Sequence, residues 1–383
     1  MRYRRDDGTI GATNGFPTKT AATEHADGME TDQRRGTWID PAAGKVTVGE
    51  WTVQWLDALD VAVRTEDYYR SLLTHHIQPR WGEIGLAEVS GIKAAAWAKQ
   101  LRARGYAEAT VAGVMKLLSL LLADAAEERL IVANPIRARR RGRHRRARRT
   151  ERIWANPVEA LAVADNAARL PGAGPGAAIL IVTAAWTGAR WGELVGLQRS
   201  NTHLDDGAIV IDPDIGALHE SSQGLHLGPP KTAESARTIA LPPFLVELLR
   251  VHLDTHDHRH VFVTSERQLY RRSNFSRRAM RPAADGNHAH PRADLRLDPV
   301  KLGLTFHGLR HSHKTWMIAD GVPEIAQSHR LGHILNDKIQ QTYSHVAPEV
   351  ERRLLDALAD RWHKAIADRG LAAAWRTTSK RRA

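Results

Sequence analysis

The chain contains no cysteine, so disulfides and cysteine-ligated zinc sites are excluded. No run of eighteen or more apolar residues stands out, which gives no reading of a transmembrane helix. The opening residues, MRYRRDDGTIG, are basic but lack the apolar stretch of a secretory signal, so a cytoplasmic location is expected. Acidic residues are the scarcer charge. Against 55 Lys and Arg there are 43 Asp and Glu, a formal net charge of +12. Such an excess implies a polyanionic partner, nucleic acid ahead of an anionic membrane surface. At 383 residues the chain can hold two domains, each with its own core.

The positive charge is concentrated. Residues 137–152, RARRRGRHRRARRTER, hold ten arginines and one glutamate, which supplies +9 of the +12. A charge run is often a solvated spacer. This one lies between two structured-looking halves and reads as a linker. Arg139, Arg140, Arg141, Arg143, Arg145, Arg146, Arg148 and Arg149 are its candidate contacts to a DNA backbone, where each neutralised phosphate releases counterions.

Residues 1–46 are polar, with a short strand end and a helix from about Thr18. Residues 47–136 read as a helical bundle. Thr47 and Glu50 form a capping-box pattern before Trp51, Trp55, Leu56 and Leu59. A second helix follows Thr65 and is expected to end at Pro79 and Gly82. A third follows Ser90 and closes at Gly105. A fourth carries Val111, Val114, Met115, Leu118, Leu121 and Leu122 as its apolar stripe.

Residues 153–383 form the second domain. Asn156, Pro157 and Glu159 give a helix start. AAILIVTAAWT (177–187) looks like a buried helix, and a further helix opens near Arg190 after a break at Gly188. AIVID (208–212) and RTIALP (237–242) have strand character, with Lys231 between them. HVFVTS (260–265) is short and β-like, and residues 283–303 look like a loop. TFHGLRHSHKTWMIADG, PEIAQSHRLGH and PEVERRLLDALADRWHKAI read as helices. The fold class is therefore mainly α with a small antiparallel β-sheet (α+β).

FHGLRHSHKTW (306–316) packs His307, Arg310, His311 and His313 into seven positions. Histidines at i and i+4 could hold a metal, but the H-E-x-x-H pattern is broken by Gly308 and no acidic third ligand is near. The alternative is a phosphate grip. Arg310 lies one helical turn from His307 and offers a planar fork to two oxygens. Arg190, Lys231, His333 and Tyr343 complete a set for metal-free phosphoryl transfer, with arginines to neutralise charge, a histidine or lysine to move protons and a tyrosine to attack. Each piece alone is weak; their order and spacing are specific.

The stretches TGARWGELVGL, PPKTAESARTIALP, TFHGLRHSHKTWM and RLGHILNDKIQQTYSHV resemble the tyrosine recombinase, or phage integrase, family. The resemblance covers nearly the whole chain and is strongest over 185–347. It implies the following roles. Arg190 and Arg310 hold the scissile phosphate, with Glu193 supporting Arg190. Lys231 protonates the leaving oxygen, His307 is the acid/base partner of the tyrosine, His333 supports the phosphate, and Tyr343 is the nucleophile. It implies no cofactor and no metal. It also implies double-stranded DNA carrying core or attachment sites as partner, a homo-tetramer on DNA, a Holliday junction, and a directionality factor as a further partner. Residues 47–136 resemble a core-binding domain. Residues 1–46 resemble part of an arm-type segment, without its first strand or two. A dimer-resolving or transposon recombinase shares this chemistry. A DNA-binding accessory protein without catalysis and a metallohydrolase are the readings from other classes.

Overall fold

Thr47 opens its helix as its spacing predicts: its side chain accepts from Glu50 N while Glu50 returns to Thr47 N, a closed capping box. The computed structural model describes residues 2–4, 9–34, 38–40, 43–136, 151–171, 173–333 and 346–368. The chain divides into two compact units, Met1–Arg145 and Arg146–Ala383.

The first unit begins with an antiparallel pair, β1 (Arg2–Arg4) and β2 (Ile10–Ala12), followed by helix α1 (Lys19–Arg34). The single strand end expected from sequence is thus corrected to a two-stranded hairpin; three-residue strands are too short to show alternation. Helices α2 (Val48–Asp57), α3 (Val63–Leu72), α4 (Gln78–Trp81), α5 (Gly91–Ala103) and α6 (Glu108–Glu127) form the bundle. Pro79 does not end the second helix. A π turn at Leu73–Ile77 joins α3 to α4, so the shifted register accommodates a proline that has no N–H to give. Ser90 caps α5 by accepting from Lys93 N. Helix α6 is long and apolar enough to cross a membrane, yet it is the central helix of this core. Its Val111, Val114, Leu117, Leu118, Leu121, Leu122 and Ala125 are buried among Trp51, Trp55, Leu73, Ile77 and Trp81. Trp51 Nε1 donates to Leu121 O at 2.9 Å and Trp55 Nε1 to Asp124 Oδ2 at 2.5 Å, satisfying both indoles.

The second unit is built on α7 (Pro157–Ala168) and α8 (Gly174–Thr187). Asn156 and Glu159 close the expected capping box on α7. Helix α8 is buried all round, as an apolar run without a polar face requires. Short helix α9 (Trp191–Val195) leads to β3 (Thr202–His203), β4 (Ala208–Ile211), β5 (Ala217–Ser221), β6 (Gly224–Gly228) and β7 (Arg237–Ala240). Strands β3, β4 and β7 form one antiparallel sheet in that order, and β5–β6 is a separate hairpin that the residue pattern does not announce. Helix α10 (Pro243–Leu253) follows, then α11 (Arg272–Phe275) and α12 (Arg281–Asp285), joined by a π turn at Ser276–Met280. HVFVTS is not a strand: it makes isolated bridges, Gln198 to His260 and Val263 to Leu269. Helices α13 (Phe306–Ala319), α14 (Glu324–Leu331) and α15 (Pro348–Asp368) complete the unit. Trp186, Trp316 and Trp362 meet edge to face in its core.

In denaturant unfolding, Leu121→Ala, at a fully buried position, should lose about 2–5 kcal/mol. Leu120→Ala, at the neighbouring residue that is 36% exposed, should lose only about 0.5 kcal/mol. Equal losses would overturn this assignment of the core face of α6.

Candidate active site

Helix α8 ends at Gly188, whose φ of 67° is left-handed. A Cβ there would also lie 2.6 Å from Leu331 Cδ2 and 2.8 Å from His313 Cδ2, so glycine is required twice over. The turn delivers Arg190 to the N-cap of α9. Its Nη1 donates to Glu193 Oε1 at 2.7 Å and Ser235 Oγ at 2.8 Å, and its Nη2 to Gly332 O at 2.9 Å. Glu193 is 1% exposed. Its second oxygen accepts from Arg190 N at 2.9 Å and from Arg237 Nη2 at 3.0 Å. Burial alone would raise this carboxyl, but the charge of Arg237 and the hydrogen bonds from Arg237 and Arg190 hold it below the usual carboxylate range.

Thr305 caps α13 by accepting from Gly308 N, which sets the phase of FHGLRHSH. Arg310 is 5% exposed; Nη1 donates to Gly188 O at 2.7 Å and Nη2 to Leu331 O at 2.5 Å. Arg237 Nε donates to Arg330 O at 2.7 Å. Three successive carbonyls at the end of α14, those of Arg330, Leu331 and Gly332, therefore each accept from a different arginine: Arg237, Arg310 and Arg190. These are carbonyls a helix end leaves unpaired, at the negative end of its dipole. The next residue is His333, whose N–H donates back to Ser328 O.

The site is crowded with positive charge. His307 is exposed as a residue, yet partial desolvation of its ring, then His311, Arg310, Arg152 and Arg272, push it down to about 4. Burial, then Arg310, Lys314, Arg190 and Arg237, push His333 down to about 4. Both rings are neutral at pH 7. Burial and Arg190 push Arg310 down to about 9, which still leaves it charged. Arg152 Nη1 donates to His311 Nε2 at 3.0 Å.

Arg190, Glu193, Arg310 and the backbone leading into His333 are thus joined directly. His307 lies one turn before Arg310, its ring edge-on to His311 at 4.8 Å. Lys231 is exposed just beyond β6; the adjacent Thr232 Oγ1 is 3.1 Å from Ser235 Oγ, which in turn meets Arg190. Tyr343 and Arg139, Arg140, Arg141, Arg143, Arg145, Arg146, Arg148 and Arg149 lie outside the described residues. Sequence reasoning missed Arg237 and Arg330, and singled out His313 without giving it a role. Arg237 sits in the stretch PPKTAESARTIALP, but nothing in an isolated strand residue announces that it will be buried. Among the described residues, no group of three or more His, Cys, Asp or Glu is placed to share a metal ion.

A buried carboxylate, clustered arginines and neutral histidines are thus brought together on this helical scaffold. The phage integrase family model matches residues 158–349. The chain belongs to that family and is a site-specific tyrosine recombinase, an enzyme that breaks and rejoins DNA strands. It is 26% identical over 356 residues to a putative prophage phiRv2 integrase of Mycobacterium tuberculosis strain H37Rv, covering 87% of this chain and 86% of that one. It is 28% identical over 230 residues to the integrase of Mycobacterium phage L5, covering 57% of each. Its fold is similar to that of the Tn1549 transposon integrase in complex with a circular intermediate DNA, with a TM-score of 0.63 and 16% identity over 82% of this chain and 99% of that one. It is also similar to lambda integrase in a tetramer bound to a Holliday junction, with a TM-score of 0.54 and 19% identity over 90% of this chain and 92% of that one.

The depressed histidines carry a pH signature. Below pH 6.5 the unfolded chain protonates His307 while the folded protein resists until about 4, so the stability this ring contributes above pH 6.5 is lost as pH falls through that window. Ring titration by NMR should place the His307 midpoint near 4, and His307→Gln should reduce the loss of stability between pH 6.5 and 4. A midpoint at the ordinary 6.5 would overturn this picture of the site.

Proposed function

We propose that this chain cleaves duplex DNA through a 3′-phosphotyrosyl intermediate, to integrate or excise a phage or other mobile element. In this reading the Tyr343 oxygen attacks the scissile phosphorus and the bond to the 5′ oxygen breaks. Arg190 and Arg310 neutralise the non-bridging oxygens, as fixed donors aimed where charge develops. His307 takes the tyrosine's proton, a role that suits a ring held neutral. Lys231 gives a proton to the departing 5′ oxygen, and His333 supports the phosphate. The phosphotyrosine keeps the bond energy, so rejoining needs no ATP. The observation that supports the reading is that Arg190 and Arg310 both donate to the helix end that leads into His333, with Arg190 also paired to the buried carboxylate of Glu193.

Four protomers on two core sites, passing through a Holliday junction in the cytoplasm, extend the proposal; a directionality factor would bias excision over integration. Residues 47–136 would grip the core site and residues 1–46 an arm-type site. The arginine-rich linker would follow the DNA backbone. Replacing Arg139, Arg140 and Arg141 with alanine should weaken binding to specific and random duplexes alike. It should also flatten the slope of log K against log salt by about 0.9 for each phosphate that is no longer neutralised. An unchanged slope would make the segment a solvated spacer.

Tyr343→Phe tests the mechanism. The change removes one oxygen and should leave fold and DNA affinity almost untouched. It should abolish the covalent protein–DNA adduct on a nicked suicide duplex, because no other hydroxyl can stand in line with the leaving oxygen. An adduct that persists, mapped by peptide sequencing to another residue, would falsify the assignment.

A further inference from the structure

We infer that His219, on strand β5, is a positioning residue for Lys231. The inference rests on the proposed role of Lys231 as proton donor to the 5′ oxygen. Among the described residues, the Lys231 side chain makes no hydrogen bond or ion pair, so its approach to the site depends on what holds the chain on either side. On the C-terminal side the hold is through the site itself: Thr232 Oγ1 meets Ser235 Oγ, and Ser235 Oγ accepts from Arg190. On the N-terminal side the hold is His219. Its Nε2–H donates to Pro229 O at 2.8 Å, two residues before Lys231. Pro230, the one residue between that carbonyl and the lysine, has its φ fixed by its ring, which narrows the freedom left between the anchor and Lys231.

The imidazole is itself fixed. It stacks on its cross-strand partner His226, with ring centres 5.4 Å apart and planes 17° from parallel. It also lies over Gly228, where an added Cβ would come within 3.1 Å of Cδ2 and 3.2 Å of Nε2. The strand that carries it is tied to the helix that Arg190 caps. Added Cβ atoms at Gly192 and Gly196 would meet Leu218 O at 2.9 Å and Leu218 N at 2.6 Å, and Trp191 Nε1 donates to Glu220 Oε1 at 3.1 Å. His219 sits between those two contacts, so the hairpin transmits the position of α9 to Pro229 and from there to Lys231.

The experiment compares two leaving groups. A nicked duplex carrying the junction sequence that the wild-type protein cleaves is made with either oxygen or sulfur at the bridging 5′ position. Sulfur leaves as a thiolate, because a thiol has a pKa near ~8.5 and needs no donated proton. With oxygen, His219→Ala should cleave about 10-fold to 100-fold more slowly than wild type, part of what a general acid supplies. With sulfur the deficit should shrink to about 3-fold or less, while DNA affinity and melting temperature stay at wild-type values. Gly228→Ala, which displaces the ring without removing it, should behave the same way. The inference is overturned if His219→Ala cleaves the oxygen substrate at the wild-type rate, or if its deficit is equal on both substrates. Lys231→Ala is the control: if sulfur does not rescue it, the role of Lys231 as proton donor fails. If sulfur rescues Lys231→Ala and not His219→Ala, that role stands and the anchor alone is refuted.

Discussion

Three arginines on one helix end organise this centre. Helix α14 stops at Gly332, whose φ of 61° turns the chain away and leaves the last carbonyls unpaired within the helix. Arg237, Arg310 and Arg190 take the carbonyls of Arg330, Leu331 and Gly332 in succession. They arrive from β7, α13 and the cap of α9, so three elements distant in sequence are fixed relative to one another by one turn of backbone. Each guanidinium is planar by delocalisation, so these bonds fix the direction in which its remaining edge points. His333 follows at once in the chain, so the place of its backbone is set by the same bonds.

Charge follows from that arrangement. Glu193 is the buried carboxylate of the cluster, and it is shared between Arg190 and Arg237. Arg310 has carbonyls for partners in place of a counter-ion. A region with this excess of cations can lower its free energy in two ways: by keeping its histidines neutral, or by receiving an anion. His307, His311, His313 and His333 all have depressed pKa values. The second way is open to any anion of suitable size, and in the proposed reaction the anion is a phosphate.

The sequence made local geometry legible where spacing carries it. The H-x-x-R pair, the cap boxes at Thr47 and Asn156 and the glycine break at Gly188 all follow from local rules, and the structure places them so. What sequence did not reveal was long-range. Arg237 and Arg330 look like any strand or helix cation, and only the tertiary fold buries Arg330 and covers the Arg237 side chain. The β5–β6 hairpin is hidden because LHES and LHLG mix glycine and histidine with little alternation. Pro79 reads as a stop because a π turn, which admits it, has no sequence signature of its own.

The histidines of FHGLRHSH can now be told apart. His307 and His311 lie on the outer side of α13, one edge-on to the other. Arginine can only donate, so the bond from Arg152 requires a lone pair on His311 Nε2 and places its proton on Nδ1. His313 is fully buried on the opposite side. Its Nδ1 can only donate to Ala185 O, and its Nε2 accepts from Arg330 Nε at 2.9 Å. Arg330 also donates to Trp186 O and Ala240 O, so neutral His313 lets one arginine join the end of α8 to β7. Ser312 and Trp316 extend the same inner face by holding Ala155 N and Ala155 O, three residues after Arg152. One helix therefore presents an outer side, with His307 and His311, and a framework side, with Ser312, His313 and Trp316. The Arg310 guanidinium spans the end of α8 and the end of α14, two backbone contacts that an apolar side chain of lower desolvation cost could not make.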